Sequence, residues 1–250
     1  MSRLVLLILF VLYSPASAFF TAEGDIAALQ DQTKMLTPGE RIAFWAEQFV
    51  GTPYDTDPLG EYVRRNVIVS DERVDCMYLT FRAVELAFGK NPDDSLKIAL
   101  DMRFIHRGKV EGRNVVNYED RFQYAESMIE SGKWGKDITQ TLSGTSVVSG
   151  PPDKKIVIIA ASDAFAVVGA LQNGDIVFFV NAPEKTVNGT AIGHMGIIKT
   201  EADTAYLIHA SGRKETGGSV KKVLLKDYLS KMPFAGIKVS RFPADVRMSE

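Results

Sequence analysis

What most restricts the fold of this chain is the order in which two hydrophobic periodicities occur. Helical spacings of three and four residues fill the first third, short strand-like runs fill the last third, and the two do not interleave. Thr37-Pro38-Gly39-Glu40 is a helix start. Thr37 is placed to cap, Pro38 stands at the first helical position, and Glu40, three residues past the cap, completes a capping box. The pattern runs to about Val50, Gly51-Thr52-Pro53-Tyr54 ends it, and residues 55–60 read as loop. A second helix begins at Cys76: Leu79, Ala83, Leu86 and Ala87 recur on one face until Gly89, with Asp75 as N-cap. Residues 175–180, 194–199, 205–210, 220–224 and 236–241 are short β-branched and aromatic runs between turn residues. Helices first and strands after exclude a βαβ repeat and its parallel sheet. The expected fold is α+β, with N-terminal helices packed on a mostly antiparallel sheet.

The N-terminus reads as an export signal. Residues 4–13 are almost wholly apolar and Ala16-Ser17-Ala18 supplies the small-x-small cleavage pattern, so residues 1–18 are expected to be removed. That run is far short of the roughly 20 apolar residues needed to cross a bilayer, and no later segment is long enough to span. Residues 19–250 are expected to form one domain, with 91–165 inserted as a substrate rim that carries the Arg103, Arg107, Arg113 and Arg121 series and a helix over about 118–131. The formal charge of -2 becomes -3 once Arg3 leaves with the signal, which argues against nucleic acid or an anionic membrane as partner. A secreted, periplasmic protein with a small local ligand is the expectation.

Cys76 is the single cysteine of the chain, so it can form no internal disulfide even in an oxidising compartment. Its place in the first turn of a helix, beside unpaired amides and the positive end of the macrodipole, predicts a thiol with a lowered pKa. Two of the three histidines fall in adjacent strand runs. A hairpin turning at 201–204 and pairing Lys199 with Ala205 or Thr204 sets His194 opposite or nearly opposite His209, about 5 Å apart. A cysteine with one imidazole as base and a second polar group orienting it is the logic of acyl transfer. Cys76 would attack, His194 would carry the proton, His209 would fix its ring, and the Cys76 amide and Tyr54 would meet the oxyanion. His106 reads as a surface residue, and Asn188-Gly189-Thr190 matches a glycosylation triplet.

In the order Gly51-Thr52-Pro53-Tyr54, Asp75-Cys76, Gly193-His194-Met195-Gly196-Ile197 and Ile208-His209-Ala210, the chain resembles the NlpC-type papain-like cysteine hydrolases of bacterial cell walls. Within them it is most similar to the amidase family first catalogued as a domain of unknown function, which cuts N-acetylmuramoyl-L-alanine bonds in peptidoglycan fragments. Residues 54–59 and 67–75, Lys136-Asp137-Ile138-Thr139 and Gly174-Asp175-Ile176 carry the likeness further, over most of 40–241. The resemblance implies a papain-like fold, Cys76 as nucleophile, His194 as base, His209 as third residue, Tyr54 at the oxyanion, Asp75 at the substrate, muropeptides as partners and no cofactor. The chain departs from the family with Tyr78 and Leu79 after the cysteine, and with Gln123 for a histidine in Asp120-Arg121-Phe122-Gln123-Tyr124. Arg121 there can still hold a carboxylate or sugar through paired charge-assisted bonds.

Three rivals follow from the same residues. An endopeptidase of the same type would cut within the stem peptide. A zinc-binding module would use Cys76, His194 and His209 as ligands, but their dispersed spacing is unlike paired structural ligands. A non-catalytic wall-fragment binder would keep the scaffold without turnover.

Overall fold

The computed structural model describes residues 23–65, 68–112, 114–142, 144–150, 154–186 and 190–245. Residues 1–18, expected to be an export signal, Arg113, and Asn188-Gly189 of the glycosylation triplet lie outside the described residues. The helices are α1 (Glu23–Thr33), α2 (Pro38–Gln48), α3 (Glu61–Arg64), α4 (Cys76–Phe88), α5 (Pro92–Met102), α6 (Ala125–Ser131) and α7 (Leu225–Leu229). The strands are β1 (Val110–Glu111), β2 (Asn114–Val115), β3 (Lys136–Asp137), β4 (Thr145–Gly150), β5 (Lys154–Ala160), β6 (Ile176–Val180), β7 (Ile192–Glu201), β8 (Thr204–Arg213), β9 (Gly217–Leu224) and β10 (Gly236–Arg241). The fold is α+β, as the order of periodicities requires.

The N-terminal helices start where their caps place them. The Thr37 hydroxyl accepts from the Glu40 amide while the Glu40 carboxylate accepts from the Thr37 amide, the full capping box of α2. Asp75 caps α4 by accepting from the Tyr78 N–H at 2.8 Å. α2 and α4 pack on one another and on one face of an antiparallel sheet of order β4-β5-β10-β6-β7-β8-β9, with β3 on β10. On that face Ile176, Phe178, Val180, Met195, Ile197 and Ile208 meet Trp45, Phe49, Leu79 and Phe81. On the other, Val177, Phe179, Ile198, Leu207, Ile237 and Val239 meet α7 through Leu225 and Leu229. β6 is therefore covered on both faces, which is why its sequence Ile-Val-Phe-Phe-Val shows no polar alternation.

Residues 91–165 contribute more than a rim. β4 and β5 extend the main sheet, with Ile156, Ile158 and Ile159 buried, and the Gly/Ser/Pro punctuation around them had masked a hairpin. The helix expected over 118–131 is broken: a single 3-10 turn at Tyr118–Asp120 and then α6, because Arg121 and Phe122 run extended and pair with the Arg103–Phe104 stretch. Arg103 is not a rim cation. It is 2% exposed, with its Nη2 donating at 2.7 Å to Glu85, which also accepts at 3.0 Å from Arg82. Arg82 in turn is paired in bidentate fashion with Asp71 at 2.7 and 2.8 Å. Burial lowers the pKa of each guanidinium, but these carboxylates outweigh it and both stay cationic.

Candidate active site

Tyr54, Asp75 and Cys76 are brought together by three short segments. The stretch after α2 threads between the start of β9 and the approach to α4: Pro53 bridges Ser219, Tyr54 bridges Val74, and the Tyr54 N–H donates to the Gly218 carbonyl. The Tyr54 ring rests on Gly212, where a Cβ would come within 2.3 Å of the ring. Only a glycine at that point of β8 lets the tyrosine lie flat against the sheet. Val74 then delivers Asp75 and Cys76 at the start of α4.

The two strand histidines meet, though in a different register from the one the hairpin suggested. The turn falls at 201–204 as expected, with Glu201 paired to Thr204, but β7 and β8 pair Lys199 with Tyr206 and Ile197 with Ile208. His209 thus comes level with Gly196, not His194. A Cβ at Gly196 would lie 3.0 Å from that of His209. The missing side chain leaves room for His209 to lean diagonally onto its neighbour. His194 Nε2 and His209 Nδ1 lie 2.9 Å apart, which leaves His194 Nδ1 as the ring nitrogen not engaged by the pair.

Beyond the Ile197–Ile208 pair the β7–β8 ladder opens, while β8 continues along β9 to Arg213. In that opening the Met195 amide, adjacent in the chain to His194, is directed at Cys76 and favours its thiolate. Two aromatic rings enclose the imidazoles. His194 stacks on Phe179 at 5.8 Å between centroids, and Tyr228 of α7 stands 4.8 Å from His209 and 6.3 Å from His194. Tyr228 carries no signal in the sequence that would single it out. Burial pushes its phenol up to about 12, and the nearby Cys76 adds to the effect, so thiol and phenol are within electrostatic reach.

The electrostatics differ from the sequence expectation. The Cys76 thiol is pushed up, not down, to about 12: burial is the main cause and the neighbouring Asp75 carboxylate adds to it, against the Met195 and Met77 amides and Lys214. The helix N-terminus is present, but its pull is outweighed by desolvation. Burial also takes His194 down to about 3, with His209 contributing, and His209 down to about 4, with Lys221 contributing. The resting groups are a neutral thiol and two neutral imidazoles. Tyr54 is raised well above the ordinary phenol value by burial first and then by Cys76 and the surrounding carboxylates, so it remains an O–H donor.

The other sequence candidates are placed as follows. Asp75 is raised by burial, its Oδ1 capping α4 and its Oδ2 3.8 Å from Lys214 Nζ, a cation that sequence reasoning passed over. Arg121 donates to the Tyr118 carbonyl at 2.8 Å and lies over the Tyr118 ring, and Tyr118 in turn bonds the Tyr62 carbonyl. No contact joins Arg121 to Cys76 or to either strand histidine among the described residues. Tyr78 is a core residue stacked on Tyr62 and bonded to Asp71, and Gln123 is exposed, so the two departures from the resembled family lie outside this cluster. His106 is on the surface, 3.0 Å from Asp120. Among the described residues no group of three or more His, Cys, Asp or Glu side chains is arranged to hold a metal ion, and no helix is long and apolar enough to cross a membrane.

No protein-family model and no curated protein sequence matches the chain. Solved structures do. A Legionella pneumophila protein assigned to the DUF1460 family superposes with a TM-score of 0.65 at 15% identity, covering 90% of this chain and 96% of its own. An N-acetylmuramoyl-L-alanine amidase from Bacteroides uniformis gives 0.63 at 19% identity, with 82% and 98% covered. A Bacteroides fragilis protein provisionally named a xylanase gives 0.60 at 19%, with 80% and 100% covered. These likenesses establish the fold. The differing names of the neighbours leave the reaction to be argued from the side chains.

Proposed function

We infer that this chain is a cysteine hydrolase of peptidoglycan fragments with a papain-like, NlpC-type arrangement, and that it cleaves the amide between N-acetylmuramic acid and L-alanine. What supports this reading is the 2.9 Å His194–His209 pair on the strand whose next residue, Met195, has its amide directed at Cys76 at the start of α4. The amidase-named Bacteroides neighbour favours the muramoyl bond, and export to the periplasm through residues 1–18 accords with that substrate.

In this mechanism the neutral thiol and imidazole react without a preformed ion pair. His209 Nδ1 accepts from His194 Nε2–H, which fixes the tautomer with the lone pair on His194 Nδ1. As Cys76 Sγ attacks the carbonyl carbon, its proton passes to His194 Nδ1. The tetrahedral oxyanion meets the Cys76 amide and the Tyr54 hydroxyl, which burial keeps protonated. His194 then gives the proton to the alanine nitrogen as the C–N bond breaks, leaving a thioester. A water, deprotonated by His194, attacks the thioester; the carboxylate leaves and Sγ recovers its proton. Asp75, beside the nucleophile, and Arg121 are the residues proposed to hold the substrate.

The test is direct. Wild type and Cys76→Ala are incubated with a muramoyl-tripeptide and with the free tripeptide, and products are followed by mass spectrometry. Release of intact tripeptide by wild type alone is the expected result. Cleavage inside the tripeptide would make the chain an endopeptidase of the same mechanism, and no Cys76-dependent product from either would remove the hydrolase reading.

A further inference from the structure

The turn between β8 and β9 carries Lys214 to the edge of the site. Its ammonium donates to the Asp55 carbonyl at 3.0 Å, lies over the Tyr54 ring at 5.6 Å from the centroid, and stands 3.8 Å from Asp75 Oδ2. Asp55 has both carboxylate oxygens committed, to the amides of Asp57 at 2.9 Å and Glu61 at 2.6 Å. Asp75 Oδ1 is committed to the cap of α4. The oxygen beside the nucleophile that could receive a substrate cation is therefore Asp75 Oδ2, and Lys214 already faces it. Side-chain exposures of 30% for Lys214 and 17% for Asp75 leave the pair reachable from solvent yet poorly screened.

We propose that Lys214 is a specificity-determining residue: by compensating Asp75 it makes the site beside Cys76 accept a neutral, N-acylated group and reject a free ammonium. A substrate amine approaching Oδ2 must enter within a few ångströms of the Lys214 charge, and like-charge juxtaposition in a partly desolvated site is a device for refusing a partner. An acylated nitrogen carries no charge and meets no such penalty. This rests on the hydrolase reading and deepens it. It supplies a reason, from this chain's own residues, for preferring an alanine whose nitrogen is in amide linkage over a stem peptide with a free N-terminus.

The experiment uses the Cys76→Ala protein, which binds without turnover, with L-Ala-γ-D-Glu-L-Lys and its Nα-acetyl form as probes, measured by calorimetry. With Lys214 present the acetylated peptide binds more tightly. Lys214→Met shifts the ratio of the two dissociation constants toward the free amine by about tenfold. Lys214→Arg, which restores the charge, retains the original preference. A residue that merely braced the turn would weaken both peptides alike, so an unchanged ratio in Lys214→Met overturns the proposal, as does tighter binding of the free amine before substitution or failure of both peptides to bind. A wild-type enzyme that leaves the muramoyl bond intact defeats the amidase reading separately, since the ratio is read without catalysis.

Discussion

Replacing His209 by alanine isolates the contribution of the orienting imidazole. The ring is 4% exposed and its Nδ1 lies 2.9 Å from His194 Nε2. Its loss leaves a buried N–H on His194 without an acceptor and removes the preference for the tautomer with its lone pair on Nδ1. A buried donor stripped of its partner costs about 1–3 kcal/mol, and the cost rises as the donor gains charge. His194 gains charge only when it takes the Cys76 proton, so the penalty falls on the transition state. At about 1.4 kcal/mol per factor of ten, kcat/KM drops roughly 5- to 150-fold, carried by kcat with KM little changed. Initial rates of muramoyl-tripeptide hydrolysis measure this against wild type and Cys76→Ala, with circular dichroism melts confirming that the variant is folded. His209→Asn, whose side-chain carbonyl can accept the same bond, recovers part of the rate. Activity within twofold of wild type, a loss confined to KM, or inactivity equal to that of Cys76→Ala would each refute the orienting role.

Other perturbations follow from the same structure. With His194 taken down to about 3 and the Cys76 thiol up to about 12, kcat/KM should stay flat from about pH 5 to about pH 10; an acid limb centred near 6.5 would contradict neutral resting groups. Because both histidines titrate lower in the fold than the ordinary 6.5, the unfolded chain binds more protons below that value. Stability is thus fully present above it and lost as the pH falls toward 4, as thermal melts across that range will show. Glu85→Ala strands Arg82 and Arg103 in the interior with only Asp71 as counter-charge, costing about 3–5 kcal/mol and lowering Tm by roughly 6–20 °C; a drop under 3 °C in calorimetry would mean the network is not held as described. Gly212→Ala pushes a methyl into the Tyr54 ring and lowers kcat/KM at least tenfold while the fold persists, and unaltered kinetics would remove Tyr54 from the site.

The parts legible in the sequence were those that local chemistry determines. Thr37, Pro38 and Glu40 announce α2, and Asp75 before an apolar run announces α4 and so places Cys76. Properties depending on the whole interior were not legible. A one- or two-residue difference in the β7–β8 pairing has no local signal, and the diagonal contact that restores the histidine pair depends on Gly196 having no side chain. The sign of the Cys76 shift depends on how thoroughly other elements cover the sulfur, which a helix-terminus argument leaves out. Tyr228 and Lys214 reach the site from a five-residue helix and a tight turn, elements too short for any periodicity to mark. Arg103 reads as a surface cation until Glu85, eighteen residues earlier in the chain, is seen to face it.

The position of β10 has a consequence for the life of the chain. Residues 236–241, which follow every other strand described, lie in the middle of the main sheet, hydrogen-bonded to β5 on one side and β6 on the other. While the polypeptide is being made, β4 and β5 have no partner linking them to the strands that hold the histidines. β10, which follows all of these strands in the chain, is the one that joins the two halves. Such long-range closure is slow, because chain entropy is lost before the pairing contributes. The nucleophile-bearing helix can form early, but the sheet beneath it closes only once β10 has been made, so a nascent chain cut short before residue 236 would have no continuous sheet on which to assemble an active site.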